Sequence, residues 1–126
     1  MLGGTFVDCF RFRGDILDHR GDLAGANRAY RDAVALAPDL PAAYYSWGLA
    51  LARNGELIDA EARLKDAHQR GPHWADPLKA WGDVLVRQGK SKEALLKYDE
   101  ALLYAPNWAT LKAVRDALAH RSESAI

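Results

Sequence analysis

Apolar residues recur at helical spacing along most of the chain, and the stretches that carry them stop at regularly placed glycines and prolines. Glycine permits the positive-φ turn that ends one helix and lets the next fold back. Proline lacks a backbone N–H and its ring clashes with the preceding turn, so it ends the second helix of a pair. The glycines are Gly21, Gly55 and Gly89, and the prolines are Pro38, Pro72 and Pro106. This pattern predicts a chain built of helix pairs.

The pattern repeats with a period of 34 residues, which is typical of stacked helical repeats. Positions in register across three units are Gly14, Gly48, Gly82; Gly21, Gly55, Gly89; Ala26, Ala60, Ala94; Tyr30, Leu64, Tyr98; Ala33, Ala67, Ala101; and Pro38, Pro72, Pro106. We predict a single domain over residues 1–126, with repeats at about 7–40, 41–74 and 75–108 and a capping helix at about 109–121.

Two local details follow from this register. Gly48 and Ala60 are placed where paired helices approach most closely, so a larger side chain is expected to push the helices apart. In the third unit Asp76 and Pro77 are expected to be the N-cap and the first helical residue, because aspartate accepts free N–H groups and proline loses none there.

The repeat resembles the tetratricopeptide repeat, whose pattern is W-x₂-L-G-x₂-Y…A-x₃-F…P over 34 residues. The matching residues are Tyr44-x₂-Trp47-Gly48-x₂-Leu51, Ala60-x₃-Leu64 and Pro72, then Leu78-x₂-Trp81-Gly82-x₂-Leu85, Ala94-x₃-Tyr98 and Pro106. The first unit departs from the pattern at Arg13, a charge where a large apolar residue is usual. The resemblance covers about residues 7–108 and implies an all-α fold, an α-solenoid of three helix pairs plus a C-terminal capping helix.

The last predicted helix is apolar on one side only. Leu111, Val114 and Leu118 recur at helical spacing, whereas the places that would meet a further helix hold charged side chains. Those charged residues are Lys112, Arg115 and Asp116. Finite repeat arrays need a polar outer face for solubility, so this helix is predicted to be a cap.

The N-terminal end has no comparable cap. Cys9, Phe12 and Ile16 occupy the places that match the apolar stripe of the last helix. Contiguous exposed apolar surface marks an interface. We therefore expect this N-terminal stripe to self-associate, giving a homo-oligomer, or to meet further repeats of a longer chain. The alternative is that Leu2 and Phe6 fold back over it.

Charge and composition exclude several classes of function. The chain has 17 Lys and Arg against 17 Asp and Glu, so nothing favours nucleic acid or an anionic membrane as partner. The single cysteine excludes an internal disulfide framework. No apolar run approaches the roughly 18 residues of a membrane span, and the start lacks the features of a signal peptide. We predict a soluble, cytoplasmic protein.

Asp15, Asp18 and His19 are the best metal candidates, because Asp15 and His19 stand four apart on one helix face. They lack the H-E-x-x-H pattern or a cysteine pair, so no metal site is predicted. Asp76 and Asp83 would lie roughly 10 Å apart along one helix face, without other features of a sugar site.

Neither the histidines nor the standard catalytic signatures indicate an enzyme. His68 and His73, on either side of Pro72, are expected to be surface residues of a turn. The common nucleophile and phosphate-binding signatures are missing. We predict no enzyme activity and no cofactor.

The resemblance to tetratricopeptide repeats implies a binding groove lined by the first helix of each pair. Carried over by position, its partner-binding residues are Arg11, Asp15, Tyr45, Leu49, Arg53, Asp76, Lys79, Asp83 and Arg87, with Asp8, Asp18, His19, Ala42, Ala52 and Val86 at the remaining places. The middle set is nearly apolar and the outer sets are charged. We expect Tyr45 and Leu49 to anchor an apolar residue, with charged flanks that set register. The alternative is an ordinary solvated face.

The implied partner is a protein helix or an extended segment with one or two large apolar residues. Family members that hold acidic C-terminal tails of heat-shock chaperones use a clamp of lysine and asparagine plus an arginine. Here Asp15 stands in the place of an asparagine, Asp76 in that of a lysine and Ala80 in that of the arginine, so this activity is not expected. Besides a protein-interaction module, the alternatives are an oligomerisation element that works through the N-terminal stripe and a regulatory appendage of an upstream enzyme.

Overall fold

The computed structural model describes the backbone of residues 2–124 and the side chains of residues 6–121. Within these residues the chain forms seven helices and no strand. The helices are α1 (Leu2–His19), α2 (Leu23–Leu36), α3 (Pro41–Arg53), α4 (Leu57–Arg70), α5 (Ala75–Arg87), α6 (Ser91–Tyr104) and α7 (Ala109–Ser124). The predicted all-α fold of three helix pairs and a closing helix is confirmed.

The chain divides into two compact units, Met1–Gly71 and Pro72–Ile126. We call them the N-terminal unit, which contains α1 to α4, and the C-terminal unit, which contains α5 to α7. In the N-terminal unit α1 packs against α2 and α3, and α3 packs against α2 and α4. In the C-terminal unit α6 packs against α5 and α7. The predicted single domain over residues 1–126 stays a prediction.

The turn glycines adopt the conformation that the sequence predicts. Gly21, Gly55 and Gly89 have φ of 84°, 80° and 79°. After α1 the N–H of Gly21 donates to Asp18 at 2.9 Å and the N–H of Asp22 donates to Leu17 at 2.8 Å, which is the Schellman arrangement. The same pair of hydrogen bonds closes α3 and α5. These bonds satisfy the last carbonyl groups of each helix and reverse the chain.

Helix α5 begins two residues earlier than the sequence predicts. Its N-cap is Trp74, whose side chain makes no capping hydrogen bond, so the assignment of Asp76 as N-cap is wrong. Asp76 lies instead in the first turn, where the positive end of the helix dipole favours a carboxylate. Proline is tolerated at Pro77 because the N–H groups of the first turn have no partner within the helix.

Each helix pair closes on a glycine, as the sequence predicts. A Cβ atom added at Gly48 would stand 2.7 Å from Cγ of Leu64, and one at Gly14 would stand 2.6 Å from Cε1 of Tyr30. Gly82 faces Tyr98 in the same way. All three opposing side chains are fully buried. Any larger residue at the glycine positions would therefore push the two helices apart.

The two end helices differ in how far their apolar stripes are covered. Leu111 and Leu118 of α7 are buried in the core of the C-terminal unit, with Val114 packed beside them. Phe12 and Ile16 of α1 are 52% and 53% exposed. Residues 2–6 continue α1 rather than folding back, and Phe6 is itself exposed, while the side chain of Leu2 lies outside the described residues.

Candidate functional site

The predicted partner-binding residues of the N-terminal unit lie on α1 and α3, which pack side by side. Arg11 and Asp15 are one turn apart on α1, and Tyr45, Leu49 and Arg53 follow at one-turn spacing on α3. Tyr45 and Leu49 are half-buried. We call these five residues the N-terminal face.

An ion pair fixes one end of the N-terminal face. Arg53 donates from Nε to Oδ2 of Asp18 at 2.7 Å, and a second guanidinium nitrogen lies 2.6 Å from the same oxygen. Asn54 donates to the other oxygen, Oδ1, at 2.6 Å. Asp18 is buried, so its charge needs these partners. These bonds hold α1 against the end of α3, and they give both carboxylate oxygens of Asp18 a hydrogen-bond partner.

Asp15 is held by the second helix of its own pair. The hydroxyl of Tyr30 on α2 donates to Oδ1 of Asp15. Tyr30 is completely buried, and burial raises the pKa of its hydroxyl above the usual value, helped by the hydrogen bond to Asp15 and the charges of Asp15 and Asp18. The hydroxyl therefore remains a proton donor at neutral pH and fixes the carboxylate of Asp15.

Arg11 is positioned by its neighbours on α1. Its guanidinium lies 3.4 Å from a carboxylate oxygen of Asp8 and 4.4 Å from the centroid of the Phe12 ring. The ion pair is solvent-accessible on the Asp8 side, so it contributes little to stability. It does restrict where the positive charge of Arg11 can point.

The predicted residues of the C-terminal unit lie along α5. Lys79 Nζ lies 2.7 Å from Oδ2 of Asp83, one turn further on. The hydroxyl of Tyr98 on α6 donates to Oδ1 of the same aspartate at 2.6 Å. Burial and this hydrogen bond raise the pKa of Tyr98 above its usual value. Asp76 is half-buried in the first turn and Arg87 is exposed in the last.

Sequence reasoning missed the aspartate–tyrosine pair, although the repeat register contained a signal for it. Asp15 with Tyr30 and Asp83 with Tyr98 share a separation of fifteen residues and stand two repeats apart. In the middle repeat both matching places, 49 and 64, hold leucine. The two positions therefore change together, as expected for side chains that meet.

The metal candidates of α1 have separate partners. Asp15 accepts from Tyr30, Asp18 pairs with Arg53, and Nδ1 of His19 donates to the backbone carbonyl of Asp15 at 2.7 Å. Across the described part of the chain no three His, Cys, Asp or Glu side chains are grouped so that they could hold a metal ion.

Of the two histidines near Pro72, only one lies in the predicted turn. His68 is half-buried in the last turn of α4, because that helix continues to Arg70. His73 does lie in the turn, with its ring 5.0 Å from that of Tyr104.

In residues 2–124 no helix has the length and apolar character needed to cross a membrane.

Comparison with known proteins identifies the class of fold. The family model described as "TPR repeat" matches residues 14–55, about one third of the chain. No curated protein matches the sequence. The structure matches the first TPR domain of Spaghetti (RPAP3), solved with the HSP90 peptide SRMEEVD, with a TM-score of 0.86 and 16% identity over 94% of this chain and 97% of that one.

Two further structures show the same fold in different settings. The Sgt2 TPR domain of Aspergillus fumigatus gives a TM-score of 0.86 with 18% identity over 94% of this chain and 80% of that one. The O-GlcNAc transferase mutant K341M of Thermobaculum terrenum gives 0.80 with 21% identity over 95% of this chain but only 23% of that one. The resemblance to tetratricopeptide-repeat proteins is confirmed: residues 14–55 match the family's repeat, and the fold is that of TPR domains.

Proposed function

We propose that this protein is a protein-interaction module whose N-terminal face binds an apolar residue of a partner helix or extended segment. The observation that carries the proposal is the half-buried pair Tyr45 and Leu49 on α3, with Arg53 one turn further along α3 and with Arg11 and Asp15 on the adjacent helix α1. An apolar centre with a charged border is the usual arrangement of a binding hot spot. On α5 the proposal assigns partner contacts to Asp76, Lys79, Asp83 and Arg87.

The structural neighbours support a peptide or protein partner of this general kind. The first TPR domain of Spaghetti (RPAP3) was solved with the acidic HSP90 peptide SRMEEVD. A peptide of that charge is disfavoured here, because Asp15 and Asp76 would repel its carboxylates. The proposal includes a cytoplasmic location, no catalytic step and no cofactor.

A capture experiment tests the proposal. The wild-type protein and the variant Tyr45→Ser/Leu49→Ser would be used as bait in extract of the source organism, with Ile58→Ser as a matched control because Ile58 is exposed on α4. We expect a partner that is retained by the control and lost from the double variant. Equal capture by all three baits would contradict the assignment of the N-terminal face.

A second candidate function is self-association through the N-terminal stripe of Cys9, Phe12 and Ile16. The observation that favours it is a difference between repeats. The matching residues of α3 are Ala43, Ser46 and Ala50, and all three are buried where α3 packs in the N-terminal unit, whereas the stripe on α1 is exposed. We propose a second copy of the chain as the occupant of this stripe.

Sedimentation velocity separates the two candidates. If the stripe binds a second copy, the wild-type protein sediments as a dimer at tens of micromolar and Phe12→Glu/Ile16→Glu sediments as a monomer. The charged variant should still retain the partner captured through Tyr45 and Leu49. A wild-type monomer throughout that concentration range would exclude the second candidate.

A further inference from the structure

We propose that Asp15 selects a cationic side chain of the partner, so that the N-terminal face recognises a lysine or arginine next to a large apolar residue. This inference rests on the proposed function, because it names the chemistry of the segment that the same face would bind. It assigns to Asp15 the choice between basic and acidic partners and to Tyr45 and Leu49 the apolar anchor.

The three aspartates of α1 differ in whether a cation pairs with them. Asp8 is paired with Arg11, and Asp18 is paired with Arg53 and Asn54. Within the described residues Asp15 has no ion-pair partner. Its one side-chain hydrogen bond there is accepted by Oδ1 from Tyr30, which leaves Oδ2 available. One carboxylate at this face is therefore fixed in place and not neutralised.

Asp83 of the C-terminal unit, which matches Asp15 in the repeat, has a cation as partner. Asp83 accepts the same kind of hydrogen bond, from Tyr98, but its other oxygen lies 2.7 Å from Nζ of Lys79. The residue that matches Lys79 in the first repeat is Arg11, whose charge is directed to Asp8. On α5 the cation that pairs with the aspartate is Lys79 of the same helix. At Asp15 the described residues supply no such cation, so a partner protein can supply it.

Asp15 lies in a half-buried environment, and the hydroxyl of Tyr30 fixes the orientation of its carboxylate. When a partner covers Tyr45 and Leu49, water is excluded and the local dielectric falls. An unpaired carboxylate becomes unfavourable under these conditions, whereas a charge-assisted hydrogen bond to lysine or arginine becomes stronger. A partner with a cation near its apolar anchor satisfies both demands.

A selection from a random 12-residue peptide display library tests the inference. The baits are wild type, Asp15→Asn, Asp32→Asn and Tyr45→Ser/Leu49→Ser. Asparagine at position 15 keeps an oxygen that accepts from Tyr30, and Asp32 is exposed on α2, so its variant controls for the loss of one negative charge. We expect wild type and Asp32→Asn to enrich peptides with lysine or arginine near a large apolar residue, and Asp15→Asn to lose the basic preference.

Fluorescence anisotropy with one selected peptide and its lysine-to-glutamine version then measures the contact. We expect Asp15→Asn to weaken the lysine peptide about tenfold and the glutamine peptide hardly at all, which is the range of a charge-assisted hydrogen bond. The lysine peptide should also lose affinity as salt is raised, and Asp15→Asn should reduce that dependence. Unchanged thermal unfolding midpoints would show that the variants fold.

The outcomes separate this inference from the proposed function. Peptides that need Tyr45 and Leu49 but show no basic preference, or that Asp15→Asn binds as well as wild type does, would overturn the role of Asp15 and leave the interaction face intact. A selection in which no binder depends on Tyr45 and Leu49 would contradict the proposed function itself and this inference with it.

Discussion

The first and third helix pairs close on a tyrosine, and the middle pair closes on a leucine. Tyr30 and Tyr98 donate to Asp15 and Asp83, whereas the matching residues of the middle repeat are Leu64 and Leu49. In all three pairs a glycine at the same repeat position permits the close approach of the two helices. One packing arrangement can therefore present either a fixed carboxylate or an apolar surface, depending on two residues fifteen apart.

Moving the polar pair into the middle repeat should have the largest effect on stability. Leu64 is fully buried, so Leu64→Tyr alone adds volume and a hydroxyl without an acceptor, and we expect a loss of about 3 kcal/mol in the free energy of unfolding. Adding Leu49→Asp should recover about 1 kcal/mol relative to the sum of the two single changes. Urea unfolding of the four proteins measures this coupling, and strictly additive losses would show that the pair is not transferable.

Alkaline pH tests what the two buried tyrosines contribute to stability. The pKa values of Tyr30 and Tyr98 are raised in the folded protein, so the unfolded chain ionises first, at about pH 10. Their contribution to stability is fully present below that pH and is lost as the pH rises above it. At pH 11 we expect a loss of about 1.4 kcal/mol for each tyrosine. Urea unfolding from pH 8 to 11 measures it, and Tyr30→Phe or Tyr98→Phe should each remove about half of the decline.

Removing the hydroxyl groups at neutral pH separates the two polar pairs from each other. Tyr30→Phe takes away the side-chain hydrogen bond of Asp15 and should cost about 2 kcal/mol, as expected for a bond to a charged group. Tyr98→Phe leaves Asp83 paired with Lys79 and should cost about 1 kcal/mol. Urea midpoints at constant m-value give both numbers, and equal losses would mean that Lys79 does not support Asp83.

Replacing the glycines between paired helices should give the smallest difference in stability. Alanine at Gly82 would press on the ring of Tyr98, which its hydrogen bond to Asp83 holds in place, whereas alanine at Gly48 meets Leu64, whose side chain can rotate. We expect Gly82→Ala to be less stable than Gly48→Ala by about 1 kcal/mol, since both gain the same helix propensity. Thermal unfolding compares them, and the reverse order would contradict the view that the tyrosine is rigid.

The repeat and its helices could be predicted from the sequence because the signals are local. A glycine that needs positive φ, a proline that cannot continue a helix and an apolar residue every third or fourth place each act within a few residues. The predicted start of α5 is wrong by two residues, since aspartate is favourable both at the N-cap and in the first turn. Such ambiguity is intrinsic to helix ends.

The candidate site was less accessible to sequence reasoning because its contacts cross between helices. Asp18 and Arg53 are both predicted to face a partner, yet they bind each other over a separation of 35 residues. From the sequence, Tyr30 and Tyr98 are known only as matching positions of the repeat, and their hydroxyl groups become informative once α1 lies against α2 and α5 against α6. Comparing positions 15, 49 and 83 with positions 30, 64 and 98 would have revealed the pair.

The exposed thiol of Cys9 has a practical consequence. Cys9 is the single cysteine of the chain and it lies on the N-terminal stripe of α1. A maleimide dye would therefore attach at one known point of the native sequence, without removal of other thiols or introduction of a new one. The rate of that labelling reports whether the stripe is covered, so this chain carries its own probe for single-molecule and stopped-flow work.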